Sequence, residues 1–405
     1  MIMCVLGMVL GACAGGRKNG NTGEGTDASV TADTEAVSDG KADSELSTEG
    51  LSEAELFEQQ VSGKLASMTL EEKTAQLFII TPEALTDSSH VTQAGENTKE
   101  AIEAYPIGGI IYFSENIVSE EQVTEMIAAQ QQYCTDRIGL PLFISTDEEG
   151  GTVTRIASCE AIEIPKILSA AEIGAEGDPS EAYETGSTIG AYLSRMGFNL
   201  DYAPVADVLT NPENTVVKER SYGSESALVA EMVLKNLKGL NLHGIYGCVK
   251  HFPGHGATAG DTHEGYAYTD KTWEELKENE IVPFKAAMEE GVSFVMVGHI
   301  SCPNITGDNT PASLSKIMIE DYLKGELGYE NIVITDALNM QAVTRQYSSA
   351  EAAVTALHAG VDMLLMPEDF KEAYEGVLDA VQQGEITEER LDESVEKILR
   401  VKMNM

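Results

Sequence analysis

Basic residues are scarce in this chain: 26 lysines and arginines stand against 67 aspartates and glutamates, for a net charge of −41. A balance of that sign repels phosphate backbones and anionic lipid surfaces, which excludes nucleic acid as an expected partner and reads as a well-solvated surface. Cysteine pairs are missing as well. None of the six cysteines forms a CxxC spacing, so neither a zinc ribbon nor a thioredoxin-like redox motif is supported. Cys134, Cys159, Cys248 and Cys302 are too scattered for a disulfide framework, and Cys248, inside an apolar run, reads as a small core residue. The amino-terminal run "MIMCVLGMVLGACAGG" falls short of the ~20 apolar residues that span a bilayer.

What that run does have is an ending in small residues just before Cys13, as a signal peptide has, although no Lys or Arg precedes it. "LGAC", Leu10 to Cys13, resembles a bacterial lipobox, which implies lipidation of Cys13 and an extracytoplasmic protein held at the membrane only by its lipid. Residues 14–50 are rich in Gly, Ser, Thr and acids with almost no large apolar side chain, so they cannot offset the entropy of ordering and are expected to form a disordered tether. From residue 51 to 405 the composition is that of a globular domain. The chain is 42% hydrophobic overall, enough for a large core.

Eight short apolar runs recur through that region: "AQLFII", "GGIIYF", "PLFIST", "NLDYAPVADV", "GIYGCVKHF", "SFVMVGHI", "NIVITDAL" and "VDMLLMP". Helix-like stretches separate them, among them "SEEQVTEMIAAQQQYC", "EELKENEIVPFKAAMEE" and the closing "ITEERLDESVEKILRVK". Apolar strands alternating with helices are the pattern of buried parallel strands, and a doubly wound sheet would share it. The polar residues decide for a (β/α)8 barrel. Asp147, Asp207, Lys250 with His251, His299 and Asp336 fall at the carboxyl ends of successive runs, and in a barrel those ends converge on one mouth.

The stretch "KHFPGHGATAGDTH", residues 250–263, holds three of the seven histidines. Pro253 and Gly254 lie between His251 and His255, so the two cannot share a helical face as zinc ligands would, and no metal or other cofactor is expected. Together with "TDEEGGTVTR", "DYAPVADV", "ERSYG" and "ITDALNM", in that family's order, it resembles the catalytic domain of glycoside hydrolase family 3, in its β-N-acetylhexosaminidase branch. The resemblance implies a single (β/α)8 catalytic domain over 51–405, without the second carboxyl-terminal domain that the family's β-glucosidase branch carries. It also implies retaining removal of terminal, non-reducing β-N-acetylhexosamine from glycans or cell-wall fragments.

By the same resemblance Asp336 is the nucleophile, and His263, paired with Asp261, replaces the usual second carboxylate as acid/base. Asp147, Arg155, Arg220, Lys250 and His251 match positions that hold hydroxyl groups of the terminal sugar. Gly254, Gly256 and Gly260 would let the histidine loop move. Ala257 and Thr262 depart from the residues many relatives have there. His255, His299 and Asp207 are expected to shape the site, and His90, His243 and His358 to be ordinary. A carbohydrate is the expected partner of a monomeric enzyme. Transfer to phosphate instead of water, or a catalytically inactive cell-wall sugar-binding lipoprotein, remains open.

Overall fold

In the computed structural model residues 52–258 and 267–405 are described. Eight barrel strands are numbered here in chain order: β1 (Phe78–Ile80), β2 (Gly109–Ile111), β3 (Phe143–Thr146), β4 (Leu200–Asp201), β5 (Tyr246–Phe252), β6 (Phe294–Val297), β7 (Ile332–Thr335) and β8 (Leu364–Leu365). Each lies within one of the eight apolar runs. The pairing is parallel throughout, with Ile79 opposite Gly109, Ile110 opposite Ile144, Leu200 opposite Tyr246, Val295 opposite Val333 and Phe78 opposite Leu364. A parallel bridge between Ile334 and Met363 brings the two ends of the sheet together, and Thr335 N–H donates to the Met363 carbonyl at 3.1 Å. The eight-stranded sheet therefore closes as a barrel.

The strands are short but buried on both faces, with every residue of β1, β2, β3, β6 and β7 in the interior. Helices cover the outer face and bring their own stop and start signals. In the helix Glu120–Ile138, Ser119 accepts from Gln122 N–H at 3.2 Å, and Gly139 ends the helix at φ 69°. A cap of that kind is worth about 1 kcal/mol. Burying each large aliphatic side chain of a strand adds about 1.5–3 kcal/mol.

Two expectations are corrected. The stretch read as one helix over "EELKENEIVPFKAAMEE" is two, Trp273–Glu278 and Ile281–Glu289, because Asn279 at φ −137°, ψ −64° breaks the turn. Asp207 does not end β4: the regular strand stops at Asp201, and the chain runs on through Pro204, bridging Val205 to Lys250 on the way. Among the described residues no helix is long and apolar enough to cross a membrane. Cys13 and the tract 14–50 lie outside the described residues.

Candidate active site

Carboxylates and cations collect where β3, β5 and β7 end. Asp147 directly follows β3, and its Oδ1 accepts from Lys250 Nζ at 2.7 Å. Lys250 and His251 sit inside β5 at the point where its register against β6 shifts, which turns both side chains toward the mouth rather than along the ladder. Lys250 is buried, and a second carboxylate, Glu149, reaches the same Nζ at 2.7 Å. Burial alone would pull the ammonium down, but Asp147 and Glu149 outweigh it and hold Lys250 above the usual lysine value.

Glu149 also clamps Arg220 in a fork, accepting from Nε and Nη2 at 2.7 Å each. Burial pushes this carboxyl up, yet Arg220 and Lys250 together hold it well below the usual range, so it is a carboxylate. Arg220 Nη2 in turn lies 3.4 Å from His251 Nε2. The His251 ring is set from behind. Its Nδ1 lies 2.8 Å from Asp207 Oδ2, and since a carboxylate only accepts, Nδ1 carries the hydrogen and Nε2 faces the site.

Asp207 is fully buried and fixes the backbone too, accepting at Oδ1 from the N–H groups of His251 at 3.2 Å and His255 at 2.6 Å. Gly256 then passes so close to Val208 that a β-carbon would stand 2.0 Å from the Val208 carbonyl oxygen, which explains a glycine there. Asn214 donates to the His255 carbonyl at 2.8 Å, and Thr258 Oγ1 lies 3.0 Å from His255 Nδ1. The first half of the histidine stretch is thus nailed to the barrel. Asp261, His263 and Gly260 fall outside the described residues.

Asp336 follows β7 directly, with its N–H donating to the Val297 carbonyl at 2.9 Å and its Oδ1 accepting from Ala337 N–H at 2.8 Å. Burial pushes its carboxyl up, but His251, His299, the Ala337 N–H and Lys250 together bring it below the ordinary aspartate value. His299 braces this turn from below. Its Nε2 lies 2.9 Å from the Ala337 carbonyl and therefore bears a hydrogen, while Nδ1 meets Ser313 Oγ at 2.7 Å. The arrangement keeps an ionised carboxylate fixed at a strand end, across from donors suited to neutral hydroxyl groups.

Arg155 stands on the loop that follows β3. Its Nη2 is 3.5 Å from Asp147 Oδ2, and its guanidinium lies over the Phe113 ring at 5.2 Å. The structure thus joins Asp147, Arg155, Arg220, Lys250 and His251 in one contact network beside Asp336. His90 and His358 are exposed, and His243 meets Ser187 at 3.1 Å outside this network. Among the described residues no three His, Cys, Asp or Glu side chains are placed to hold a metal ion. A cavity of about 1060 Å³, lined by Pro141, Leu237, Tyr246 and Val292 among others, opens at the opposite, amino ends of the strands, away from all of these groups.

Sequence reading missed Glu149, although it stands in the quoted "TDEEGG". The signal was charge balance: three cations, Arg155, Arg220 and Lys250, converge on a site for which only Asp147 had been named on their side. One carboxylate cannot neutralise three buried or half-buried cations.

The comparisons agree with this geometry. The family model described as the glycosyl hydrolase family 3 N terminal domain matches residues 69–401. Beta-hexosaminidase A of Pseudoalteromonas piscicida is 30% identical over 327 residues, covering 76% of this chain and 55% of that protein. Beta-hexosaminidase LpqI of Mycobacterium tuberculosis is 30% identical over 84% of each chain. A solved glycoside hydrolase family 3 beta-N-acetylglucosaminidase from Paenibacillus sp. superposes with a TM-score of 0.77 at 37% identity, over 83% of this chain and 62% of that one. The chain thus spans little more than half of the first relative and most of the second. With a family model over residues 69–401 and a closed barrel whose charged residues meet at the carboxyl ends of its strands, the chain belongs to glycosyl hydrolase family 3.

Proposed function

We propose that the protein is a retaining exo-β-N-acetylglucosaminidase acting on the terminal, non-reducing residue of glycans or cell-wall fragments. The observation that carries this reading is the pairing of an ionised Asp336 with the Lys250–Asp147–Glu149–Arg220–His251 network at one barrel mouth. Asp147, with Arg155, Arg220, Lys250 and His251, holds the sugar hydroxyls through charged hydrogen bonds.

In the first step an Asp336 oxygen bonds to the anomeric carbon while the bond to the leaving oxygen breaks, and His263 gives that oxygen a proton. In the second, His263 takes a proton from water, the hydroxide oxygen bonds to the anomeric carbon, and Asp336 is released. Asp261 keeps the His263 ring charged and oriented for the first step. No metal or cofactor takes part. The relatives' names, two of them hexosaminidases and one a beta-N-acetylglucosaminidase, support the choice of sugar.

The location proposed is the outer face of a bacterial membrane, with Cys13 lipidated and 14–50 as tether. Cys13→Ala should then release the protein from the membrane fraction with its specific activity intact, and unchanged retention would remove the anchor from the account. The activity is tested with an aryl β-N-acetylglucosaminide, with and without inorganic phosphate. Phosphate-independent release of the phenol supports hydrolysis. Turnover that requires phosphate makes the enzyme a phosphorylase, and none in either condition leaves a sugar-binding protein.

A further inference from the structure

Three successive acids follow β3, and they go to different places. Asp147 and Glu149 face the cations of the mouth. Glu148 turns the other way, is fully buried, and forms no ion pair among the described residues. Its partners are instead the return limb of its own loop. Oε2 accepts from the backbone N–H of Arg155 at 2.6 Å and of Ile156 at 2.9 Å, and Oε1 accepts from Ala157 N–H at 2.9 Å and from the Tyr192 hydroxyl at 2.8 Å. Its own N–H donates to Asp201 Oδ1 at 2.8 Å, at the end of β4. Its side chain therefore ties the end of β3 to the helix Pro179–Met196 and the three residues beginning with Arg155, while its backbone N–H ties that end to β4.

Arg155 itself is loosely held by its head group. Nη2 reaches Asp147 only at 3.5 Å, and its Nε–H is buried with no acceptor among the described residues. With only that long ion pair and the Phe113 ring at 5.2 Å to hold the guanidinium, the strong bond at this residue is the one its backbone N–H makes. A carboxylate suits this task better than an amide. Four donors converge on the two oxygens, and Gln in that position would turn an NH2 group toward at least one of them.

We propose that Glu148 is a positioning residue for sugar binding: by fixing the backbone at Arg155, Ile156 and Ala157 it holds the partly exposed end of the Arg155 guanidinium beside Asp147, in reach of a hydroxyl group of the bound sugar. This rests on the glycosidase reading of the site. Glu148 touches neither sugar nor reacting atoms, so its replacement acts through Arg155 or not at all.

A double-mutant cycle on the full chain separates that from a general packing role. Glu148→Gln should raise KM for an aryl β-N-acetylglucosaminide and lower kcat/KM on the order of 10- to 100-fold, as displacement of a substrate-positioning group does, with kcat changed far less. In an Arg155→Ala background the same substitution should cost nothing further. Losses that multiply, or a loss confined to kcat, would overturn the proposal. Should Glu148→Gln fail to fold, Tyr192→Phe removes one of the four donors, leaves the carboxylate in place, and decides by the same cycle. A wild-type enzyme without activity on the aryl glycoside would count against the glycosidase reading, whereas an active wild type with multiplying losses would count against Glu148 alone.

Discussion

Replacing Glu149 by Gln removes the carboxylate shared by Lys250, which is buried, and Arg220, which is largely so. In the native site its carboxylate makes three charge-assisted contacts of 2.7 Å, two from Arg220 and one from Lys250. The two cations do not lose equally. Lys250 retains Asp147 at 2.7 Å, whereas Arg220 is left with the 3.4 Å contact to His251 Nε2. Stripping one partner from a buried ion pair typically costs about 3–5 kcal/mol, because the remaining charge stays desolvated. Part of that appears as lost fold stability, and part as an Arg220 that swings away from the sugar.

The assay is twofold: a urea unfolding midpoint for the first part and kcat/KM on an aryl β-N-acetylglucosaminide for the second. The expectation is at least about 2 kcal/mol of destabilisation or a loss of order 100-fold in kcat/KM, the two together accounting for about 3–5 kcal/mol. Glu149→Asp, which keeps the charge on a shorter stem, should fall between. A Glu149→Gln enzyme within about 0.5 kcal/mol and twofold of wild type would mean that the fork is an incidental surface pair.

Burial, with His251 and Arg220 nearby, pulls His255 down to about 4 from 6.5 despite Asp207. The unfolded chain therefore takes up a proton below pH 6.5 that the folded one refuses, and stability falls as pH drops toward 4. His255→Gln, compared with wild type by thermal unfolding across that window, should recover up to about 3 kcal/mol of the acid loss, and parallel pH curves would refute the shift. Burial likewise lowers Lys402 from 10.5 to about 8 at the barrel's base, where Nζ donates to Gln76 Oε1 at 2.8 Å over the Phe143 ring. Wild-type stability should gain up to about 3 kcal/mol relative to Lys402→Met as pH rises from 8 to 10.5, and a difference independent of pH would contradict this. His263→Ala should lose on the order of 10²- to 10⁴-fold on a natural disaccharide but far less on an aryl glycoside with a good leaving group, and equal losses would remove it from acid/base catalysis.

Much of the barrel was legible because its strands are buried on both faces, and a continuous apolar run such as "NIVITDAL", set between helices, suits little besides a buried parallel strand. Closure left no trace in periodicity. It showed only through polar residues at strand ends, which is also why Asp147, Lys250, His251 and Asp336 could be singled out before their contacts were known. The short accessory pairing of Ala267 with Ile300 and Tyr268 with Ser301 was invisible, since two-residue strands carry no pattern.

At Lys402 residue type and position point opposite ways, and position wins: the residue is buried. It continues the inward series Leu391, Val395, Ile398 and Leu399 of the last helix at helical spacing, so position alone predicts burial where charge predicts exposure. "TDEEGG" shows the limit most clearly. Three like residues in sequence give no sign that Glu148 turns inward to backbone donors while its neighbours turn to cations, because that choice is made by the loop closing back from residue 155.

The central claim is that Asp336 attacks the anomeric carbon. It is tested most directly by incubating the enzyme with a 5-fluoro β-N-acetylglucosaminyl fluoride, whose good leaving group lets the covalent intermediate form and whose ring fluorine slows its breakdown, and then measuring the intact and peptic masses. The account predicts one glycosyl adduct per chain, on the peptide containing Asp336 and absent from Asp336→Asn. An adduct on another residue, or none from an enzyme that still turns over the aryl glycoside, would contradict it.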